Sequence, residues 1–212
     1  IEISRDINKI YNLIIEGRSY GPSSTILDLY DSYISSFAGK SLSGEHSTEF
    51  SFYAPLANEL SLLGGSSLLK VKTGITDASL VLKDENFLIK KLYSTIDFKS
   101  DLGFKKSSVS LNLNSIPLEF DISTKKIKKE IRTVISSESA LKLSQLFSFH
   151  DYSEFLSGSS QFNIEFILPG YIRGHSLPSA RATIESKLKG TAIQLFSPFN
   201  KDSESEILFK LD

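Results

Sequence analysis

The sequence predicts a mainly β protein with short helices, an antiparallel sheet built from repeated strand-helix-strand units. Three observations predict it. Apolar and polar residues alternate along most of the chain. Clusters of turn-forming residues punctuate those runs. An ordered set of features also recurs at a spacing of 114 residues, from Gly44 to Gly158.

The alternating runs come first. A strand is expected from Lys9 to Gly17, then Glu49-Phe50-Ser51-Phe52-Tyr53, Leu69-Lys70-Val71-Lys72 and Thr95-Ile96-Asp97-Phe98-Lys99. Ser108 to Asn114 is the cleanest alternation, and Pro117 to Ile122 continues it. A strand from Glu130 to Ile135 follows. Gln161 to Phe166, Arg181 to Lys187 and Glu206 to Leu211 complete the series. Successive strand side chains point to opposite faces, so each run gives one apolar and one polar face. Gly64 to Ser67, Lys83 to Asn86, Ser100 to Gly103 and Pro169-Gly170 read as the turns. The lysine run at Lys125-Lys126 and Lys128-Lys129 reads as a solvated turn entering a strand.

Two stretches carry helical spacing instead. Ser23-Ser24-Thr25 offers an N-cap before Ile26, Leu29, Tyr30, Tyr33, Ile34 and Phe37. Ser136 to Ser139 offers the same before Ala140 to Phe147.

These two helices open two comparable blocks. Gly44 to Pro55 and Gly158 to Pro169 are both eleven positions, and each encloses a strand that ends at the proline. A charged amphipathic strand follows in both, Leu68 to Thr73 and Arg181 to Lys187. A glycine turn, at Gly74 and at Gly190, then leads to Ala78 to Leu82 and to Thr191 to Leu195. The expected organisation is one internal segment, 1–212, of a longer repeat protein, with units at about 8–122 and 123–212. Any meander of hairpins self-aligns to some degree, and that is the plainer explanation of the match.

Composition narrows the chemistry. The chain has 212 residues, 40% hydrophobic and 23% charged, with a formal net charge of −1. That balance gives no electrostatic argument for nucleic acid, and none is expected as a partner. Cysteine is absent, which excludes disulfides, thiolate zinc sites and a cysteine nucleophile. Methionine is absent too, so a fragment or a processed product is expected. No apolar window reaches the roughly 18 residues of a membrane-spanning helix.

A catalytic site is not expected. The three histidines, His46, His150 and His175, form no metal-binding pair. His46 and His150 flank the expected elements and are read as surface or cap residues. No nucleophile elbow or P-loop occurs, and nothing selects a carboxylate pair. The expectation is therefore no enzyme, no metal and no cofactor. The aromatic residues, mainly Phe, fall on apolar strand positions rather than among Arg and Lys on an exposed sheet.

One stretch carries a resemblance. Ser186-Lys187-Leu188-Lys189-Gly190 precedes a short strand, and Leu195-Phe196-Ser197-Pro198-Phe199-Asn200-Lys201 follows it. This resembles the Ser-Asp-Leu-x-Gly, short strand, Leu-Pro-x-Pro-x-x-Lys element of the YhdP-type, AsmA-like proteins of Gram-negative envelopes. Ser186, Leu188, Gly190, Leu195, Pro198 and Lys201 match. Lys187 stands for the usual acidic residue and Phe196 for the first proline. The upstream order is similar as well: a strand ending in Gly17, a helix beside it, and a strand from Gly44 closing at Pro55. The specific motif covers about twenty residues.

The resemblance implies a periplasmic section of a bridge anchored in the inner membrane by a helix outside this segment. Curved sheet in such bridges forms an extended apolar groove along which phospholipids move between the inner and outer membranes. Outer-membrane biogenesis would be the process served. The residues expected to line the groove are Phe50, Phe52, Val71, Leu80, Phe98, Leu111, Leu118, Phe120, Ile164, Phe166, Ile184 and Ile193. An ordinary sandwich, its apolar face filled by its own side chains, is the alternative arrangement. The alternative function is a structural or adhesive β repeat of a bacterial surface protein.

Overall fold

The computed structural model describes residues 2–5, 11–25, 38–56, 67–82, 88–127, 130–146, 151–169 and 180–212. The chain is mainly β, with few short helices, and every strand pairing whose register is described is antiparallel. It divides into two compact units, Ile1–Ser115 with Ile122–Thr124, and Ile116–Asp121 with Lys125–Asp212.

The first unit contains β1 (Glu2–Arg5), β2 (Tyr11–Pro22), β3 (Ala38–Leu42), β4 (Glu45–Leu56) and β5 (Leu68–Leu82). It continues with β6 (Leu88–Lys99), β7 (Gly103–Phe104) and β8 (Ser107–Leu113). Its strands lie in the order β1-β2-β4-β5-β6-β8, with β3 against β5 and β7 against β6. The alternating runs explain these strands, because every second side chain can be withdrawn from water on one face. The turn at Ser100 to Leu102 is present, and the Leu102 amide donates to the Lys99 carbonyl at 3.2 Å.

β5 corrects one expectation. Gly74 is not a turn. It lies inside a single 15-residue strand, with its neighbour Ile75 paired to Ser94. The irregularity falls three residues later, where Asp77 takes a φ of 48° and the register with β6 shifts. A bulge accommodates an extra residue without ending the strand.

The second unit contains most of β9 (Ile116–Ile127), then β10 (Glu130–Leu141), α1 (Leu143–Leu146), a 3-10 turn at Asp151–Phe155, and β11 (Leu156–Gly158). Next come β12 (Ser160–Pro169), β13 (Arg181–Ser186), β14 (Thr191–Ile193) and β15 (Phe209–Leu211). The order is β9-β10-β12-β13-β15, and β11 with β14 makes a separate two-stranded sheet. Lys125 and Lys126 are exposed strand residues of β9 rather than a turn. The last strand begins at Phe209, three residues later than its alternation suggests.

The second helix is much shorter than expected. Ser136 to Leu141 continue β10, and among the described residues of the expected helix only Leu143–Leu146 is helical. Ser137 and Leu141 are buried on one face of β10, opposite Ile164 and Ser160 of β12. Ladder pairing along ten residues of β12 outweighs the local capping chemistry. The first expected helix, from Ile26 to Phe37, lies outside the described residues, as do His150, His175 and the turns at Gly64 to Ser66, Lys83 to Asn86 and Gly170.

Strand connectivity recurs between the blocks. β2 pairs β4, β4 pairs β5, and the end of β5 pairs β3. In the same order β10 pairs β12, β12 pairs β13, and β14 pairs β11. Phe50 lies between Gly17 and Val71, and Ile164, 114 residues later, lies between Ser137 and Ile184. Gly44 and Gly158 both take positive φ, 92° and 82°.

Candidate functional site

Register lets one face of the first unit be followed across its strands. Gly17, Phe50, Val71 and Phe98 form one row, and Phe98 stands opposite Phe104. The Phe98 and Phe104 rings are 5.1 Å apart between centroids. Ile15, Phe52 and Leu69 make the next row. On the other side lie Thr48, Thr73 and Ile96, with the two threonine hydroxyls hydrogen-bonded at 2.7 Å. Beyond them come His46, Ile75, Ser94 and Val109. Past the bulges, Leu80 is opposite Ile89, and Ile89 is opposite Leu113. Leu111 lies between Val109 and Leu113 on β8 with the same parity.

Six of the expected residues, Phe50, Phe52, Val71, Leu80, Phe98 and Leu111, therefore share one face. That face is not packed shut. Phe50 is 38% exposed, and the other five are half-buried. Among the described residues of this unit, the fully buried apolar side chains are only Ala54 and Ala78. A filled core of this size would bury its Phe, Val and Leu side chains almost completely.

The opposite face is polar. Arg18, Glu49, Lys72 and Asp97 form a row of alternating charge, with Arg18 Nε 3.1 Å from Glu49 Oε1. Two open depressions lie here, one of about 550 Å³ walled by Glu16, Arg18, Glu49 and Lys70, and one of about 350 Å³ around Lys72, Thr95 and Lys106. At the strand end the Tyr20 hydroxyl donates to Glu45, and the adjacent carboxylate raises the tyrosine pKa.

Unit two places Ile164, Phe166 and Ile184 on one face of β12 and β13, where Ile164, Ile184 and Leu211 are directly opposite. This face is better packed at one point: Phe162 is 1% exposed and meets Phe209 edge-on at 6.3 Å. Leu118 is buried and Phe120 half-buried, on the same side of β9. Ile193 stands apart, on the β11–β14 pair opposite Leu156.

Four of the six motif residues, Ser186, Leu188, Gly190 and Lys201, fasten or turn the chain of the second unit. The Ser186 hydroxyl donates to the Gln161 carbonyl at 2.7 Å and accepts from the Leu188 amide at 3.0 Å. Leu188 and Gly190 take φ of 49° and 91°, turning the chain into β14. Lys201 is 5% exposed, and its Nζ donates to the carbonyls of Thr191 and Asp202 at 2.7 and 2.9 Å. Thr191 is tied to β12 by the Ser160 hydroxyl at 2.6 Å.

His46 corrects the surface reading. It is 6% exposed within β4, with Nδ1 3.1 Å from the Pro22 carbonyl and Nε2 3.3 Å from the Ser19 hydroxyl. Its place follows from standing opposite both Gly21 and Ile75, which a one-dimensional pattern does not reveal. Ile15, Leu69, Ile96 and Val109 were missed as members of the apolar face. The parity of their own alternating runs is the signal that finds them.

Among the described residues no group of three His, Asp or Glu side chains is placed to hold a metal, and no helix is long and apolar enough to cross a membrane. No family profile, no curated protein and no solved structure matches the chain.

Proposed function

We propose that this chain is a periplasmic section of an AsmA-like bridge, anchored in the inner membrane through a part outside this segment. In this reading it holds phospholipid acyl chains against the apolar face of its sheet and passes them between the inner and outer membranes. The observation that carries the reading is the row Phe50, Val71, Phe98 with the adjoining row Ile15, Phe52, Leu69: contiguous, apolar and with no side chain fully buried. Contiguous exposed apolar surface marks a site of contact. An acyl chain covering it gains roughly 0.8 kcal/mol per methylene withdrawn from water. The transfer makes and breaks no covalent bond, so it asks for no acid, base or metal. The Phe50–Val71 pairing of the first unit has a counterpart in Ile164–Ile184 of the second, so each unit offers an apolar strand pair of this kind.

The test is lipid retention. The chain, purified by mild means and analysed by mass spectrometry, retains phospholipid, and Phe98→Asp loses it while circular dichroism stays unchanged. A wild-type chain free of phospholipid contradicts the proposal and leaves the structural or adhesive repeat. Unfolding by Phe98→Asp contradicts the open face on which the proposal stands.

A further inference from the structure

The loop after β14 presents two aromatic rings to solvent from a firmly held stem. Phe196 is 75% exposed and Phe199 61% exposed, and their rings meet edge-on at 5.3 Å. The Phe199 amide donates to the Phe196 carbonyl at 2.8 Å, closing a tight turn with a phenylalanine at each end. Below the turn, Ile193 and Lys201 exchange two backbone hydrogen bonds of 2.9 Å. Buried Lys201 then fastens the stem to the Thr191 carbonyl.

Charge is absent from this stretch. From Gly190 to Asn200 no residue is ionisable, and the polar ones are Thr191, Gln194, Ser197 and Asn200. The flanking cations Lys187 and Lys189 both lean on Glu206, at 3.4 and 3.7 Å. Two large rings held out in water are costly, and nothing among the described residues covers them.

We propose that the Phe196–Phe199 turn is a lipid-surface docking tip, inserting both rings into the boundary between headgroups and acyl chains. A protruding turn suits a fluid apolar layer, which needs no complementary pocket. An uncharged stretch of eleven residues avoids the cost of carrying ions into that layer. The stem's hydrogen bonds fix the rings in advance, so little ordering is lost on insertion. The choice of lipid as partner rests on the function proposed above. The site itself is separate from the sheet face.

The chain contains no tryptophan, so Phe196→Trp gives a single indole reporter at the tip. The full chain is titrated with vesicles of phosphatidylcholine and phosphatidylglycerol, with or without brominated acyl chains. The expected result is a blue-shifted emission that brominated lipid quenches. Adding Phe199→Ser weakens vesicle binding about tenfold or more, as loss of one buried ring should, with circular dichroism unchanged. An indole that stays water-exposed at saturating vesicles overturns the proposal. So does emission that is already blue without lipid and varies with protein concentration, since the tip then meets a second copy.

Phe52→Trp separates this proposal from the sheet-face reading. Quenching by dispersed brominated lipid at position 52 alone leaves the sheet face and removes the tip. Quenching by vesicles at position 196 alone leaves the tip and removes the sheet face.

Discussion

Gly44 packs directly against Ala78. A Cβ added at 44 would stand 2.6 Å from the Ala78 Cα, and the glycine φ is 92°. Gly158 occupies the matching place in the second block, with φ 82° and the Gly190 carbonyl where a Cβ would go. Neither position has room or conformation for a side chain. Gly44→Ala and Gly158→Ala are each expected to cost about 2–4 kcal/mol. Gly17→Ala is expected to cost under about 1 kcal/mol, because it meets only the movable end of the Phe50 ring. Denaturant unfolding of the three variants measures the contrast.

Packing also differs between the two units in a measurable way. Phe162 is 1% exposed and Phe52 half-buried. Phe162→Ala should cost about 3–5 kcal/mol as a core truncation. Phe52→Ala should cost less, about 1–2 kcal/mol, since part of its area stays in contact with water. Equal losses in thermal or chemical unfolding would mean that the first unit's apolar face is packed.

Strand content was legible in the sequence because period-two alternation is local. Ser108 to Asn114 alternates, and β8 runs Ser107–Leu113. Gly44 and Gly158, which the spacing singles out, both take positive φ, a backbone requirement that glycine meets. The end of β10 was not legible: Ser136 to Ser139 has the composition of a helix cap, and the ladder to Ser160–Glu165 of β12 holds Ser136–Leu141 extended. Phe50, Phe52, Val71, Leu80, Phe98 and Leu111 share one face of the first unit, whereas Ile193 stands apart from Ile164 and Ile184. The turn at Leu188 and Gly190 carries it onto a second sheet.

Lys201 is expected to matter beyond its charge. Its ammonium satisfies two carbonyls at a position 5% exposed. Lys201→Met keeps the aliphatic stem but leaves both carbonyls without that donor, at a cost of about 2–3 kcal/mol. Hydrogen exchange should accelerate first at the Ile193 and Lys201 amides, which close the stem of the aromatic turn.

The β13–β15 edge should respond to pH in both directions. Arg181 and Thr183 hydrogen-bond the Asp212 carboxylate and hold its pKa below the usual value. This contribution is present above the unfolded carboxylate pKa and is lost as pH falls through the folded one. The hydrogen bond to Glu185, 2.6 Å away, raises the Lys210 pKa. That contribution is present below the unfolded lysine pKa and is lost as pH rises through the folded one. Both side chains are exposed to solvent, so the edge should fray without global unfolding. Amide exchange at Phe209 to Leu211, followed across pH, checks it.

Site-resolved photocrosslinking tests the central claim most directly. A photoreactive residue is placed at Phe52 or Val71 on the apolar face, and at Glu49 or Lys72 on the polar face, in the full chain within cells. Phospholipid adducts at 52 and 71, and none at 49 and 72, are the predicted result. A folded chain that captures no lipid at 52 or 71, or captures it equally on both faces, would contradict the account.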